Sequence, residues 1–159
     1  MMTVTYGKGF EPVPAQSMRQ KVEQLEAAMA RLPQVHCPIT HFTAPGQMAR
    51  RIEIPAGTVV TGAVHKVEHL VVIAKGRLRI VTDEGTRDVV AGDVITCMPG
   101  MKNAVTALED SAWVNVFATE ETDPDRLVEL MTESKADDLL GRQKNNQLAA
   151  QRVAEQLGT

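Results

Sequence analysis

Two of the four histidines of this chain, His65 and His69, lie close together, with the carboxylate of Glu68 between them. Imidazole and carboxylate groups bind divalent metals in proteins, and imidazole also transfers protons near neutral pH. On a flat strand, four residues at about 3.3 Å each separate the two histidines by about 13 Å, too far to share an ion. Sharing one therefore requires the chain to bend at Lys66 and Val67.

A third donor would be needed to complete a metal site, because zinc sites normally offer at least three protein ligands. Glu68, His41 and Asn103 are the candidates. Glu68 is expected to point away from His69, since neighbours on a pleated strand face opposite sides. The residues alone leave open whether these groups bind a metal, line a pocket for an organic ligand or fill a core.

The region from Ile39 to Ala118 alternates apolar and polar residues with a period of two, in short segments separated by turn residues. Roughly eight such strands are typical of a small sandwich or barrel. The segment Val67–Ala74 is nearly continuously apolar, which predicts a strand buried on both faces. Arg50 and Arg51 are interpreted as residues on the outward face of a strand.

Helical patterns flank this β region on both sides. Ser17 and Gln20 have the form of a capping box, and apolar residues then recur at spacings of three and four until Pro33. On the other side, Asp123 as cap and Pro124 as first residue mark the start of a second helix.

The second helix is expected to turn Leu127, Leu130 and Met131 inward and to end near Gly141. The predicted organisation is an N-terminal arm and helix at 1–35, a β-barrel at 36–119 and a C-terminal helical extension at 120–159.

Composition excludes several classes of function. The chain has 159 residues and a net charge of -3 with mixed signs, so it offers no basic surface for nucleic acid. It contains neither a leader-like N-terminus nor an apolar run of the roughly 18 residues that a spanning helix requires. We expect a protein that is not exported by a signal peptide and binds no membrane, with Cys37 and Cys97 as free thiols.

The segments Gly62–Gly76 and Gly92–Asn103 together resemble the paired motifs of the cupin superfamily. Gly76 closes the first motif, and Pro99 and Gly100 match the turn of the second. The resemblance implies a mainly β fold, a cupin-type jelly-roll β-barrel, to which the N-terminal amphipathic helix and the C-terminal helical tail are added.

Aligned on Gly76, the metal-ligand positions of cupins are only partly kept. Ala63 stands at the first histidine position, His65 at the second, His69 at the glutamate position and Asn103 at the histidine of the second motif. The resemblance therefore implies a degenerate metal site, and we expect no resident ion. One divalent ion (iron, manganese, zinc or nickel), held by His65 and His69, is the alternative.

A more specific resemblance is to small cupin-like proteins of bacteriophage and prophage genomes. It extends from the first helix to Asp123 and rests on several motifs in the same order. These are LPQV (32–35), HFTAPG (41–46), IPAG (54–57), HKVEH (65–69), KG (75–76), PGMK (99–102), ALED (107–110) with Trp113, and TEETD (119–123). In those relatives the strand after the tryptophan reaches a histidine, where this chain has Phe117.

The favoured function is a non-catalytic binding or assembly module of a phage or prophage, either a virion component or an accessory factor. No catalytic residue is assigned, and His65, His69, Asn103 and Phe117 are predicted to line the barrel pocket. The alternatives are a metal-dependent enzyme or ligand binder that uses the two histidines, and a small-molecule sponge or effector against host signalling.

The resemblance also sets expectations about partners and location. We expect a homo-oligomer whose terminal helices contact other phage proteins, and no nucleic-acid partner. The protein is expected in the host cytoplasm or in the virion.

Overall fold

The computed structural model describes residues 16–135, in which two helices and nine strands form. They are α1 (Met18–Met29), β1 (Ile39–Ala44), β2 (Gln47–Ile54), β3 (Val59–Thr61), β4 (His69–Lys75), β5 (Arg77–Thr82), β6 (Gly85–Val90), β7 (Val94–Cys97), β8 (Ala104–Ala107), β9 (Ser111–Ala118) and α2 (Pro124–Met131). Neither helix in this range is long and apolar enough to cross a membrane. The predicted arm at 1–15 and the tail at 136–159, with Gly141, lie outside the described residues.

The strands form two antiparallel sheets. One has the order β1-β2-β9-β4-β7 and the other the order β3-β8-β5-β6. Strands β2 to β9 thus make two four-stranded sheets, β2-β9-β4-β7 and β3-β8-β5-β6, which is the strand order of a jelly roll. The predicted mainly β, jelly-roll fold with a helix before and after the barrel is confirmed.

The hydrophobic core lies between the two sheets. Val71 and Ile73 of β4 and Leu78 of β5 are completely buried, and Ile80 is nearly so. Alternation along β5 turns Leu78 and Ile80 into this core, while Arg77 and Arg79 between them are exposed. Trp113 of β9 belongs to the same cluster.

Strand β4 differs from its prediction as a strand buried on both faces. It begins at His69 rather than at Val67, and Leu70 on its outer face is 46% exposed. The outer face of the five-stranded sheet also exposes Phe42 and Val94. An antiparallel sheet can leave one face to solvent, and an apolar run in the sequence does not reveal whether a second layer covers it.

Helix α1 begins with the predicted capping box. The Ser17 Oγ accepts from the Gln20 backbone N–H at 3.2 Å, and Gln20 Oε1 accepts from the Ser17 N–H at 2.9 Å. Only Val22 of the apolar stripe is buried, whereas Leu25 is 37% exposed. The stripe therefore does not pack entirely into a core.

Helix α2 begins as predicted, with Asp123 as cap and Pro124 as first residue. It ends at Met131, so the predicted end near Gly141 was wrong. The cause is tertiary, because Thr132 leaves the helix in an extended conformation and forms a β-bridge with His65. Leu130 is 55% exposed, which corrects its predicted inward position.

Candidate functional site

The barrel interior opens into a cavity of about 700 Å³, a size typical of small-molecule sites. Both helices contribute to its wall, α1 through Leu25 and Met29 and α2 through Leu127 and Val128. The part of the α1 stripe that remains outside the core therefore faces this cavity.

Strand register places three polar side chains next to each other on the cavity wall. His41 of β1 pairs with Arg50 of β2, and Arg50 pairs with Asn115 of β9. We call His41, Arg50 and Asn115 the polar row. Apolar pairs flank it on β2 and β9: Ile52 with Trp113, and Met48 with Phe117. All three side chains of the polar row line the cavity.

His65 and His69 meet beside the polar row. The chain bends at residues 66 and 67, so that the two ring centroids are 4.2 Å apart instead of the 13 Å estimated for a flat strand. Both histidines line the cavity. The bend that a shared site requires is therefore present.

The backbone around His65 is held from two sides. His65 forms a β-bridge with Thr132, and its carbonyl accepts from the Gly100 N–H at 2.9 Å. Two further bonds hold the neighbouring residues: the Lys66 N–H donates to the Met131 carbonyl at 2.7 Å, and the Glu133 N–H donates to the Val64 carbonyl at 2.9 Å. The position of His65 thus depends on both the turn of the second motif and the end of α2.

Both ring nitrogens of His69 are engaged in a chain of hydrogen bonds. Trp113 Nε1 donates to Asn115 Oδ1 at 3.1 Å, and Asn115 Nδ2 contacts His69 Nε2 at 2.9 Å. His69 Nδ1 lies 3.3 Å from the Val67 carbonyl oxygen. Since a carbonyl can only accept, the proton is assigned to Nδ1, which leaves Nε2 to accept from Asn115.

Phe117 stacks against both histidines. Its ring centroid lies 4.7 Å from that of His69 and 5.8 Å from that of His65. An apolar ring thus takes the position for which the resemblance implied a third imidazole. The Phe117 ring packs against both histidines, but it has no atom that could bind a metal.

Burial keeps the histidines of the site neutral at physiological pH. Desolvation, followed by the charges of His69 and Arg50, lowers the pKa of His65 to about 4. Burial also lowers the pKa of His69 and of His41. For His41, Arg50 adds to this lowering and Asp125 opposes it.

The remaining predicted candidates occupy different places. Glu68 is exposed and is not part of the cavity wall, in line with the expectation that it points away from His69. Asn103 lines the cavity and lies against Gly62, whose N–H donates to the Asn103 carbonyl at 3.1 Å. A Cβ atom at residue 62 would lie 2.6 Å from the Asn103 Oδ1, so a larger residue there would displace the Asn103 side chain.

This donor set does not suit a resident divalent metal. Among residues 16–135, no three His, Cys, Asp or Glu side chains are grouped so that they could hold an ion. His69 would have to give up its bond from Asn115 before its lone pair could bind a metal. The two histidines instead resemble hydrogen-bonded wall residues of an organic ligand pocket.

Two cavity residues, Arg50 and Asn115, were not identified from the sequence. Arg50 was interpreted as outward-facing, which is wrong, because it shares the parity of Met48 on β2 and lines the cavity. Asn115 shares the parity of Trp113 and Phe117 on β9. In both cases strand alternation was the available signal.

Replacing Asn115 by alanine should destabilise the protein by roughly 2 kcal/mol, because the Trp113 N–H and the His69 Nε2 lose their partner. Chemical denaturation followed by tryptophan fluorescence measures this. Asn103→Ala, which removes a cavity-lining amide outside the hydrogen-bonded chain, is the matched control and should cost less. Equal losses for the two variants would contradict the role assigned to Asn115.

No protein-family model and no curated protein sequence matches this chain. Solved structures do match it. KdgF from Halomonas sp. is 16% identical, with a TM-score of 0.48 over 55% of this chain and 84% of that protein. A cupin-2 domain protein from Shewanella frigidimarina is 12% identical, with a TM-score of 0.45 over 65% of this chain and 100% of that protein.

A cupin superfamily protein from Desulfitobacterium hafniense is 13% identical, with a TM-score of 0.44 over 56% of this chain and 84% of that protein. Two of these three structures are described as cupins. At such identities the likeness concerns the fold alone. None of these three descriptions mentions a phage, so the phage resemblance stays a sequence-based prediction.

Proposed function

We propose that this protein is a non-catalytic, cupin-like binding module whose barrel takes up a small organic molecule without a metal ion. One observation carries the proposal. Beside a cavity of about 700 Å³, the acceptor nitrogen of His69 is already bound by Asn115, and Phe117 covers both histidines. The cavity is therefore equipped to bind a molecule, whereas its histidines are not arranged to hold an ion.

The other reactive groups of the cavity also favour binding over catalysis. His65 is a weak base, because burial lowers its pKa to about 4. Cys37 and Cys97 line the same cavity, and burial raises the pKa of both thiols. Neutral thiols are poor nucleophiles, so neither cysteine is activated for covalent chemistry.

The sequence motifs support a finer proposal about context. We infer from them that the module works in a phage or prophage, as a virion component or an accessory factor, and that it assembles as a homo-oligomer. The exposed apolar residues Phe42, Leu70 and Val94 on the outer face of the five-stranded sheet are compatible with a further subunit. A role as a sponge for a host signalling molecule would use the same cavity.

Native mass spectrometry of the full chain, purified without chelator, tests the proposal. We expect less than one metal ion per chain, and an organic adduct that is released on denaturation. The same spectra report the number of subunits. Addition of Zn²⁺, Mn²⁺, Fe²⁺ or Ni²⁺ should leave the thermal unfolding temperature unchanged.

A stoichiometric ion that disappears in the double variant His65→Ala/His69→Ala would refute the metal-free proposal. The control is His36→Ala, which removes an exposed histidine outside the cavity wall. An ion lost equally from the control would be a surface contaminant rather than a site.

A further inference from the structure

We propose that the ligand of the cavity is an organic anion, with an apolar body and one carboxylate or similar oxyanion group that binds Arg50. This inference rests on the proposed small-molecule function and names the chemical class of the ligand. It follows from the placement of charge and apolar surface around the cavity.

Within residues 16–135, Arg50 is the one charged side chain of the cavity wall. Among the described residues that line it, none is Asp, Glu or Lys, and the three histidines are held neutral by burial. A guanidinium group offers several N–H donors in one plane, which matches the two oxygens of a carboxylate. The wall therefore favours an anion over a cation.

The polar row gives this anion a defined position. Arg50 lies between His41 and Asn115 in the register of β1, β2 and β9. Its charge lowers the pKa of both His41 and His65, so its field reaches both histidines. An anion at Arg50 would lie beside the imidazole of His41 in the same row.

The rest of the cavity suits an apolar body. Leu25, Met29, Leu127 and Val128 of the two helices face it, and the apolar pairs beside the polar row extend this surface. Burial of apolar area supplies affinity, whereas a single charged contact supplies orientation and selectivity. The ligand is therefore expected to be amphipathic rather than a small inorganic ion.

One acidic group acts against an anion from the side of α2. The carboxylate of Asp125 raises the pKa of His41, so its field reaches the polar row. Asp125 is exposed, and water and salt screen its charge more strongly than that of the half-buried Arg50. Its removal should therefore strengthen anion binding.

Two dyes that share one ring system provide the test. 1-Anilinonaphthalene-8-sulfonate is an amphipathic anion, and N-phenyl-1-naphthylamine is its uncharged parent without the sulfonate. Fluorescence titration of the full chain should show both dyes binding, with the anion about tenfold tighter or more. Arg50→Gln should abolish this preference by weakening the anion alone, and Asp125→Asn should increase it.

Matched variants separate the inference from its alternatives. Arg51→Gln changes the neighbouring arginine on the opposite face of β2 and should leave the preference unchanged. Leu70→Lys places a charge on the exposed outer face and should also have no effect, which excludes dye bound there. If Arg50→Gln does not fold, Arg50→Lys, which keeps the charge and loses the planar donors, should show a reduced preference.

The outcomes distinguish two failures. Equal affinity for both dyes, or a preference that survives the loss of Arg50, would overturn the anion inference and leave the binding proposal intact. If neither dye binds the wild-type protein, the proposed uptake of an organic molecule fails as well.

Discussion

Replacing Gly76 by alanine should lower the free energy of unfolding by about 3 to 5 kcal/mol. Gly76 has a φ of +78°, and a Cβ atom there would overlap the Ser111 Oγ and the Asp110 carbonyl oxygen. Ser111 cannot easily move away, because its hydroxyl donates to the Glu109 carbonyl at 2.7 Å. The β4–β5 connection would have to shift against β9, which belongs to the core of the barrel.

Gly57→Ala is a closely matched control. Gly57 has a φ of +79°, but no atom lies within 4 Å of the Cβ position. It should therefore cost only the left-handed backbone penalty, about 1 to 2 kcal/mol. Urea denaturation of both variants measures the difference. If both variants lower the free energy of unfolding equally, the close approach of β9 to Gly76 does not contribute to the loss.

Acidification should destabilise the protein between about pH 6.5 and pH 4. The pKa of His65 falls from its ordinary value of 6.5 to about 4 in the folded protein, so in this window the unfolded chain takes up a proton that the folded protein excludes. Stability is therefore lost as the pH falls through the window and levels off below it for this group. His65 alone contributes roughly 3 kcal/mol at most. His69 and His41, whose pKa values are also lowered, act in the same direction.

Denaturation at a series of pH values measures this dependence. His65→Gln removes the titrating group and should flatten the slope, whatever its effect on stability at neutral pH. His36→Ala removes an exposed histidine and should leave the slope as in the wild type. If the slope is unchanged in His65→Gln, the pKa of His65 is not lowered in the folded protein.

Local features of the fold were predictable because they depend on neighbours in the sequence. The capping box of Ser17 and Gln20 involves residues three apart, and Asp123 with Pro124 forms a similarly local start of α2. The period-two pattern between Ile39 and Ala118 likewise predicted the strands, since alternation is intrinsic to a strand. The jelly roll itself was implied by the resemblance of two segments to cupin motifs, the first of which Gly76 closes.

The features that escaped prediction depend on residues far apart in the chain. Helix α2 ends where Thr132 pairs with His65, and no sequence pattern near Thr132 predicts this pairing. The hydrogen bond from Asn115 to His69 likewise joins two strands that only the fold brings together. Arg50 was missed for another reason. An arginine is usually exposed, and this general expectation outweighed the parity that Arg50 shares with Met48 on β2.

The attachment of His65 to the end of α2 has a consequence for biosynthesis. A ribosome releases the two partners at very different times, because residues 131–133 follow the last barrel strand whereas His65 precedes β4. All nine strands can therefore leave the exit tunnel before the segment that fixes His65 is available. The wall of the cavity is completed late, and a chain truncated after β9 would lack the segment that fixes His65.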